Sequence, residues 1–237
     1  MKTIGFVCEG PRDSDLLEAV VSHILNEDIN PLYLQPEPSL DGENGNGWKG
    51  VWNWCYKNGK MIDRYIQGVS PEIDLIIIQM DGDVARKERE VHCSCYLGQC
   101  AFAGTIFPLK CRQEACPVRI PCDHHKKDVD GYVEHLQNLL HSCFAGEFAP
   151  IIIIPCDSTD SWIAAAYEDR EDIEIVQDPW TNLISRGKEY HGIRVPGHKK
   201  TKAVYDRFIS AVCSNWELVT KRCSQAAEFE RLISEIR

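Results

Sequence analysis

One stretch, Asp74-Leu-Ile-Ile-Ile-Gln-Met-Asp-Gly-Asp83, limits the folds open to this chain more than any other. Leu75 to Met80 is an almost unbroken apolar run with three consecutive isoleucines. A run this short and this rich in β-branched residues reads as a strand buried on both faces, the kind that parallel sheets use. Ala149-Pro-Ile-Ile-Ile-Ile-Pro155 repeats the pattern, and Thr3-Ile-Gly-Phe-Val-Cys8 and Leu32-Tyr-Leu-Gln35 supply two more strands. Apolar residues at helical spacing separate them: Leu16, Leu17, Val20, Val21, Ile24 and Leu25, then Val51, Trp52, Trp54, Cys55, Ile62 and Ile66 within a helix over Trp48 to Gln67. A further helix is predicted from Asp130 to Cys143, another from Trp162 to Glu168, and the remainder of the chain is predicted to be helical. The fold class is therefore α/β: a three-layer core with a mainly parallel sheet, strands near 3–8, 32–35, 75–80 and 150–154, and helices at the C-terminal end.

The long strand ends in Asp81-Gly82-Asp83, two carboxylates one residue apart. Ligands of open α/β sheets bind at the carboxyl ends of strands. Paired carboxylates repel, and a divalent cation relieves the repulsion. Asp-Gly-Asp also suits a plain turn, so its meaning depends on what else reaches that edge. Glu9 follows the first strand, and Asp157 and Asp160 follow the Ile151–Ile154 run. A solvated loop residue and helix-capping acids are the alternative readings of these three. Asp13 or Ser14 is placed to cap the first helix, and Ser158 or Thr159 the helix that begins near Trp162.

Charge enters here because these acids belong to a chain of net charge −10, with 36 Asp and Glu against 26 Lys and Arg. Bulk attraction to nucleic acid is not expected, so any such binding needs a local basic patch. The densest basic cluster is His198, Lys199, Lys200, Lys202 and Arg207. Lys199, Lys200 and Lys202 are candidates for holding a phosphate backbone, against the alternative of a solvated helix face. The glycine-rich run Asp41-Gly-Glu-Asn-Gly-Asn-Gly47 lacks the Gly-Lys-Ser/Thr of a P-loop, and its acids would repel phosphate. No apolar run approaches the length of a membrane span, and the chain opens directly into a strand, so a cytoplasmic protein without membrane contact is expected.

Of twelve cysteines, six fall between Cys93 and Cys122. In a reducing compartment, clustered cysteines bind metal more often than they pair. The segment has no helical or strand period, so burial alone would not hold it together. Cys93, Cys95, Cys100, Cys111, Cys116, Cys122 and His124 are spaced to bind a structural zinc, although no Cys-x2-Cys pair fixes a finger type. Free thiols are the alternative. The other six cysteines read as small core residues.

Strand, Glu9-Gly-Pro-Arg-Asp13, helix, strand, helix, strand, Asp81-Gly-Asp83 resembles the Toprim domain of topoisomerases, primases and OLD-type nucleases. The later portion, with Pro155-x-x-Ser-Thr-Asp-Ser-Trp162 and Lys199-Lys-x-Lys202 before Tyr205, looks like small standalone bacterial Toprim-like proteins, some of them linked to phage defence. The resemblance implies a Toprim-like domain over 1–170 with a Cys/His-rich insertion at 88–128, and a helical extension over 171–237. It implies Glu9, Asp81 and Asp83 as catalytic ligands of magnesium or manganese, with Asp13 matching the Glu-Gly-x-x-Asp spelling of some members. Many members carry a third acid after the Asp-x-Asp pair; here that position is Ala85, which leaves Asp157 or Asp160 to substitute. The function implied is a magnesium-dependent nuclease or phosphodiesterase acting on nucleic acid. Two alternatives stand beside it: a zinc-stabilised adaptor that binds nucleic acid or protein without catalysis, and another phosphoryl-transfer enzyme acting on a nucleotide. A protein partner or a second copy of the chain is left open.

Overall fold

The computed structural model of the chain describes residues 1–36, 47–86 and 129–236. Four parallel strands form its central sheet: β1 (Thr3–Val7), β2 (Asn30–Gln35), β3 (Leu75–Gln79) and β4 (Ile151–Ile153), in the order β2-β1-β3-β4. Val7 pairs with Ile78, and Gln79 with Ile153, so the carboxyl ends of β1, β3 and β4 lie side by side. The strands match the sequence expectation within two residues at either end. The first four positions of β3 are buried isoleucine and leucine, and the fifth is Gln79, also without exposure.

Alternation along the strands gives the sheet two apolar faces. Ile4, Phe6, Leu75, Ile77 and Ile153 pack under α1 (Pro11–Leu25). Val7, Ile76, Ile78 and Ile152 pack under α2 (Gly47–Asn58), α3 (Ile62–Gln67) and, after the short α4 (Asp83–Arg86), α5 (Val129–His141). The chain thus steps from β1 to β2 over one face and from β2 to β3 over the other, as crossovers of one hand require when direction reverses. The reversal falls between β1 and β3. Helices α7 (Lys202–Ser214), α8 (Trp216–Arg222) and α9 (Ser224–Ser234) join the α1 face, and one continuous core runs from Ile4 to Ile233.

Two local differences from the sequence expectation have physical causes. The helix expected over Trp48 to Gln67 is interrupted by a 3-10 turn at Gly59–Met61. There the backbone passes so close to Cys143 that a Cβ on Gly59 would lie 2.4 Å from its carbonyl oxygen. The C-terminal region, expected to be helical, also contains a hairpin, β5 (Glu189–Tyr190) with β6 (Ile193–Arg194). Two-residue strands carry too little alternation to be read from sequence. Trp48, Trp52 and Trp54 are buried, as expected of core residues. So are Cys8, Cys55, Cys143, Cys156 and Cys223, with Cys213 half-buried. No described helix is long and apolar enough to cross a membrane. The zinc ligands expected between Cys93 and His124, and most of the glycine-rich run, lie outside the described residues.

Candidate functional site

Glu9 lies two residues beyond β1 and Asp81 two residues beyond β3, at the point where the strand order reverses. The two are in contact: the Asp81 backbone N–H donates to Glu9 Oε1 at 2.8 Å. Gln79 fixes both. Its Oε1 accepts the Glu9 backbone N–H at 3.2 Å, and its Nε2 donates to Asp81 Oδ1 at 2.6 Å. Only one orientation of the amide satisfies both bonds. The Glu9 carbonyl accepts the N–H of Gly47 at 3.1 Å, so the start of α2 closes on the same residue.

The glycine between the two aspartates is required by packing. Gly82 N–H donates to Pro155 O at 2.9 Å and Asp83 N–H to Asp157 O at 3.0 Å, which joins the loop after β3 to the loop after β4. A Cβ on Gly82 would lie 2.5 Å from Pro155 O and 2.6 Å from Cys156 O. Asp81 and Asp83 are therefore held on either side of a contact that admits no side chain.

From β4 the chain enters α6 (Asp160–Ala165), which brings Asp160 to the same edge. Thr159, at the start of this helix, makes no side-chain cap to its own helix; its hydroxyl donates to Asp13 Oδ1 in the first turn of α1. Gly10 and Pro11, not Asp13 or Ser14, occupy the entry of α1. The Asp160 carboxylate is 3 % exposed and doubly engaged. Lys200 Nζ pairs with its Oδ2, and the Tyr205 hydroxyl donates to its Oδ1 at 3.2 Å. Lys200 also lies 5.4 Å over the ring of Trp180, in a cation–π arrangement. Asp157 serves elsewhere: its Oδ2 accepts the backbone N–H of Asp178 at 3.0 Å, where the chain takes a left-handed turn (φ 45°) into the π-helical segment Trp180–Ile184. Asp157 thereby helps set the segment whose first residue, Trp180, carries Lys200.

The electrostatics follow from this crowding. Burial, then the charge of Asp83, pushes the Glu9 carboxyl well above the usual range, while amide donors from Asp81 and Trp48 pull the other way. Burial and then Glu9 raise Asp81 in the same direction. Asp13 is pushed up to about 6 by burial and by Asp160, against the Thr159 hydroxyl and Lys200. Burial works against the charge of Lys200, but the Asp160 carboxylate outweighs it and holds the ammonium above its ordinary value. The result is a cluster of crowded acids with Lys200 at its edge.

Of the residues singled out in the sequence, Glu9, Asp13, Asp81, Asp83, Asp160 and Lys200 come together. Lys202 does not reach the cluster: it pairs with Asp206 at 2.9 Å and Asp15 at 3.6 Å. Lys199 is exposed. Gln79 and Trp180 carry no role in the sequence reading, and Thr159 and Tyr205 enter it only as a helix cap and as part of a motif. Gln79 had a visible signal, a lone amide inside an isoleucine run, because a buried polar group needs a partner.

Among the described residues, no three His, Cys, Asp or Glu side chains form a ready-made chelating group. Magnesium needs less than that, since it binds through one or two carboxylates and keeps several waters. Glu9 with Asp81 offers hard oxygen donors whose raised pKa values a cation would bring back down. Asp160, already paired with Lys200, is the poorer donor. Compared with protein-family models, with curated protein sequences and with solved structures, the chain matches none.

Proposed function

We propose that this protein is a metal-dependent phosphodiesterase acting on nucleic acid, with Glu9, Asp81 and Asp83 as the acids of its site. The observation that carries the reading is the Asp81 N–H to Glu9 hydrogen bond, which joins the carboxyl ends of β1 and β3 where the sheet reverses direction. The resemblance of Glu9-Gly-x-x-Asp13 and Asp81-x-Asp83 to Toprim motifs supports it. Magnesium or manganese, held by Glu9 and Asp81 with Asp83 next along the loop, would supply charge neutralisation at the phosphate and a more acidic water.

The chain's own residues do the rest. Gln79 keeps Glu9 and Asp81 in register with each other. Glu9, fixed beside Asp81 by that hydrogen bond, would orient the attacking water and accept its proton. Lys200, anchored by Asp160 and Trp180, provides positive charge at the edge of the acid cluster, where a phosphate would approach. Asp13 and Thr159 lock α1 to α6, so the acids from the first and last strands keep their spacing.

The test is incubation of purified protein with labelled DNA, RNA and nucleotides in magnesium, manganese or chelator. Cleavage that requires the metal is expected, and Asp81→Asn should lower it by at least about 100-fold, the scale on which a positioned acid or base contributes. Asparagine is preferred to alanine because its oxygen can still accept from the buried Gln79 amide, whereas alanine would leave that donor unpaired at about 1–3 kcal/mol. Metal-dependent turnover of nucleotides alone would favour the phosphoryl-transfer reading. No turnover of any substrate, or unchanged turnover by Asp81→Asn, rejects the proposal and leaves a binding adaptor.

A further inference from the structure

Residues 186–207 contain seven Lys and Arg and two Asp and Glu, a net +5 inside a chain of −10, so the remaining residues sum to −15. The structure gathers this charge on one feature. Tyr190 and Ile193 turn inward and are buried, with the Tyr190 ring 5.9 Å from that of Phe208. Glu189 and Arg194 lie opposite each other and are exposed. Val195 N–H donates to Lys188 O at 3.2 Å, which extends the pairing by one residue and sets Lys188 opposite Val195, next to the Glu189–Arg194 pair. Arg207 donates to Gly192 O at 3.3 Å and pins the hairpin turn on α7. Arg186, Lys188, Arg194 and Lys199 are exposed, and none of their side chains has an ion-pair or hydrogen-bond partner among the described residues. The strip adjoins the acid cluster at its end: Lys200, next to Lys199, is the residue paired with Asp160. Arg194 and Lys200 lie six residues apart, no more than about 20 Å of chain.

A second feature sits on the same hairpin. His191 is 44 % exposed in its side chain and is held at φ 45°, a conformation uncommon outside glycine. Its ring stacks on Tyr167 at 4.7 Å with planes 11° apart. Its Nε2 lies 4.0 Å from the Glu168 carboxylate. An exposed ring backed by a second ring, carried on the same hairpin as Lys188 and Arg194, joins the two components of single-strand binding: charge along the backbone and a face for a base.

We propose that the β5–β6 hairpin and the segment from it into α7 form a docking strip for single-stranded nucleic acid. Arg186, Lys188, Arg194 and Lys199 contact successive phosphates, and His191 stacks on a base. This deepens the phosphodiesterase reading, on which it rests for the strand's course past Lys200 to the acid cluster.

The probe is a fluorescein-labelled oligothymidylate of about twenty nucleotides, followed by anisotropy in chelator so that nothing is cleaved. The triple variant R186Q/K188Q/R194Q should bind at least about 10-fold more weakly. Its dependence of log affinity on log salt should be shallower by about 2, at about 0.7 per lost phosphate contact on a single strand. His191→Ala should lose about 10-fold with the salt dependence unchanged, the mark of lost stacking. Restoring charge as R186K/R194K should keep most of the affinity. Thermal melts establish that the variants are folded. An unchanged affinity in the triple variant overturns the proposal, as does polyglutamate of similar length competing as well as the oligonucleotide. Hydrolysis of bis(p-nitrophenyl) phosphate is followed separately in magnesium or manganese. The triple variant should match wild type there, since a small diester does not reach the strip. Wild type that binds the oligonucleotide as described, yet hydrolyses neither diester nor nucleic acid, sinks the phosphodiesterase reading while the docking strip stands.

Discussion

Asp13 shows how much of the site's behaviour resides in a single side chain. Its carboxyl, ordinarily at 3.8, is pushed up to about 6 in the folded protein by burial and by Asp160. A carboxyl whose pKa rises on folding holds its proton more tightly in the folded state. Its contribution therefore favours the folded state at low pH, is lost as pH climbs from about 4 to about 6, and stays lost above. Glu9 and Asp81 are shifted in the same direction. In chelator, the melting temperature of wild type is expected to carry a downward component across that interval. Asp13→Asn, which keeps an acceptor for the Thr159 hydroxyl, should flatten it. A tenfold change in proton affinity corresponds to about 1.4 kcal/mol, so the effect is a few kcal/mol at most. Melting curves at a series of pH values decide this, and an Asp13→Asn slope equal to wild type would falsify the assignment. The acids themselves were legible in the sequence, because each follows an apolar run. Their partners were not: Thr159 meets Asp13 across 146 positions and Asp160 meets Tyr205 across 45, and no local pattern encodes such distances.

Among the elements, β1 and β3 were the most legible, since burial on both faces leaves an unbroken apolar run. The interruption between α2 and α3 was not, since its cause lies outside the helix. Gly59 faces the Cys143 carbonyl, beyond the end of α5, at a separation only a bare backbone tolerates. Gly59→Ala should therefore cost about 1–3 kcal/mol by forcing the two segments apart, despite alanine's better helix propensity. Urea unfolding is the measurement: the midpoint should fall with the slope unchanged. A midpoint at or above wild type would mean that the segments yield without strain. The hairpin β5–β6 escaped notice for the opposite reason. It is held by side chains from α7, and its own residues carry hardly any strand signal.

At the scale of the whole molecule, all six tryptophans (Trp48, Trp52, Trp54, Trp162, Trp180 and Trp216) are buried in the described core, at 8 % exposure or less. None belongs to the 88–128 segment in which the cysteine spacing predicts a structural zinc. Tryptophan emission thus reports the core independently of that segment. Elemental analysis of freshly purified, reduced protein should find at least one zinc per chain. Stripping the metal should leave the emission maximum where it was, because among the described residues two apolar clusters already cover both faces of the sheet. Zinc at trace level, or a red shift when it is removed, would count against this division of labour. The parallel sheet was legible at this scale too. The core on the α1 face, which joins Ile4 to Ile233, was less so, because the C-terminal helices read as amphipathic without showing which face of the sheet they cover.

The core on the α1 face bears on how such a protein can vary. Glu9 and Asp13 belong to the beginning of the chain, Asp81 and Asp83 to its first half, Asp160 and Lys200 to its second. The helices that cover α1 come last of all. No contiguous segment holds a complete site or a closed apolar face. Recombination that exchanged one half for that of a distant homologue would break the Asp13–Thr159 and Asp81–Glu9 relations or strip one face of the sheet, depending on where it cut. Substitutions that keep the fold are expected to be those that respect contacts between distant parts of the chain, or that fall on surface features such as the hairpin, whose outward residues can change without disturbing what lies beneath.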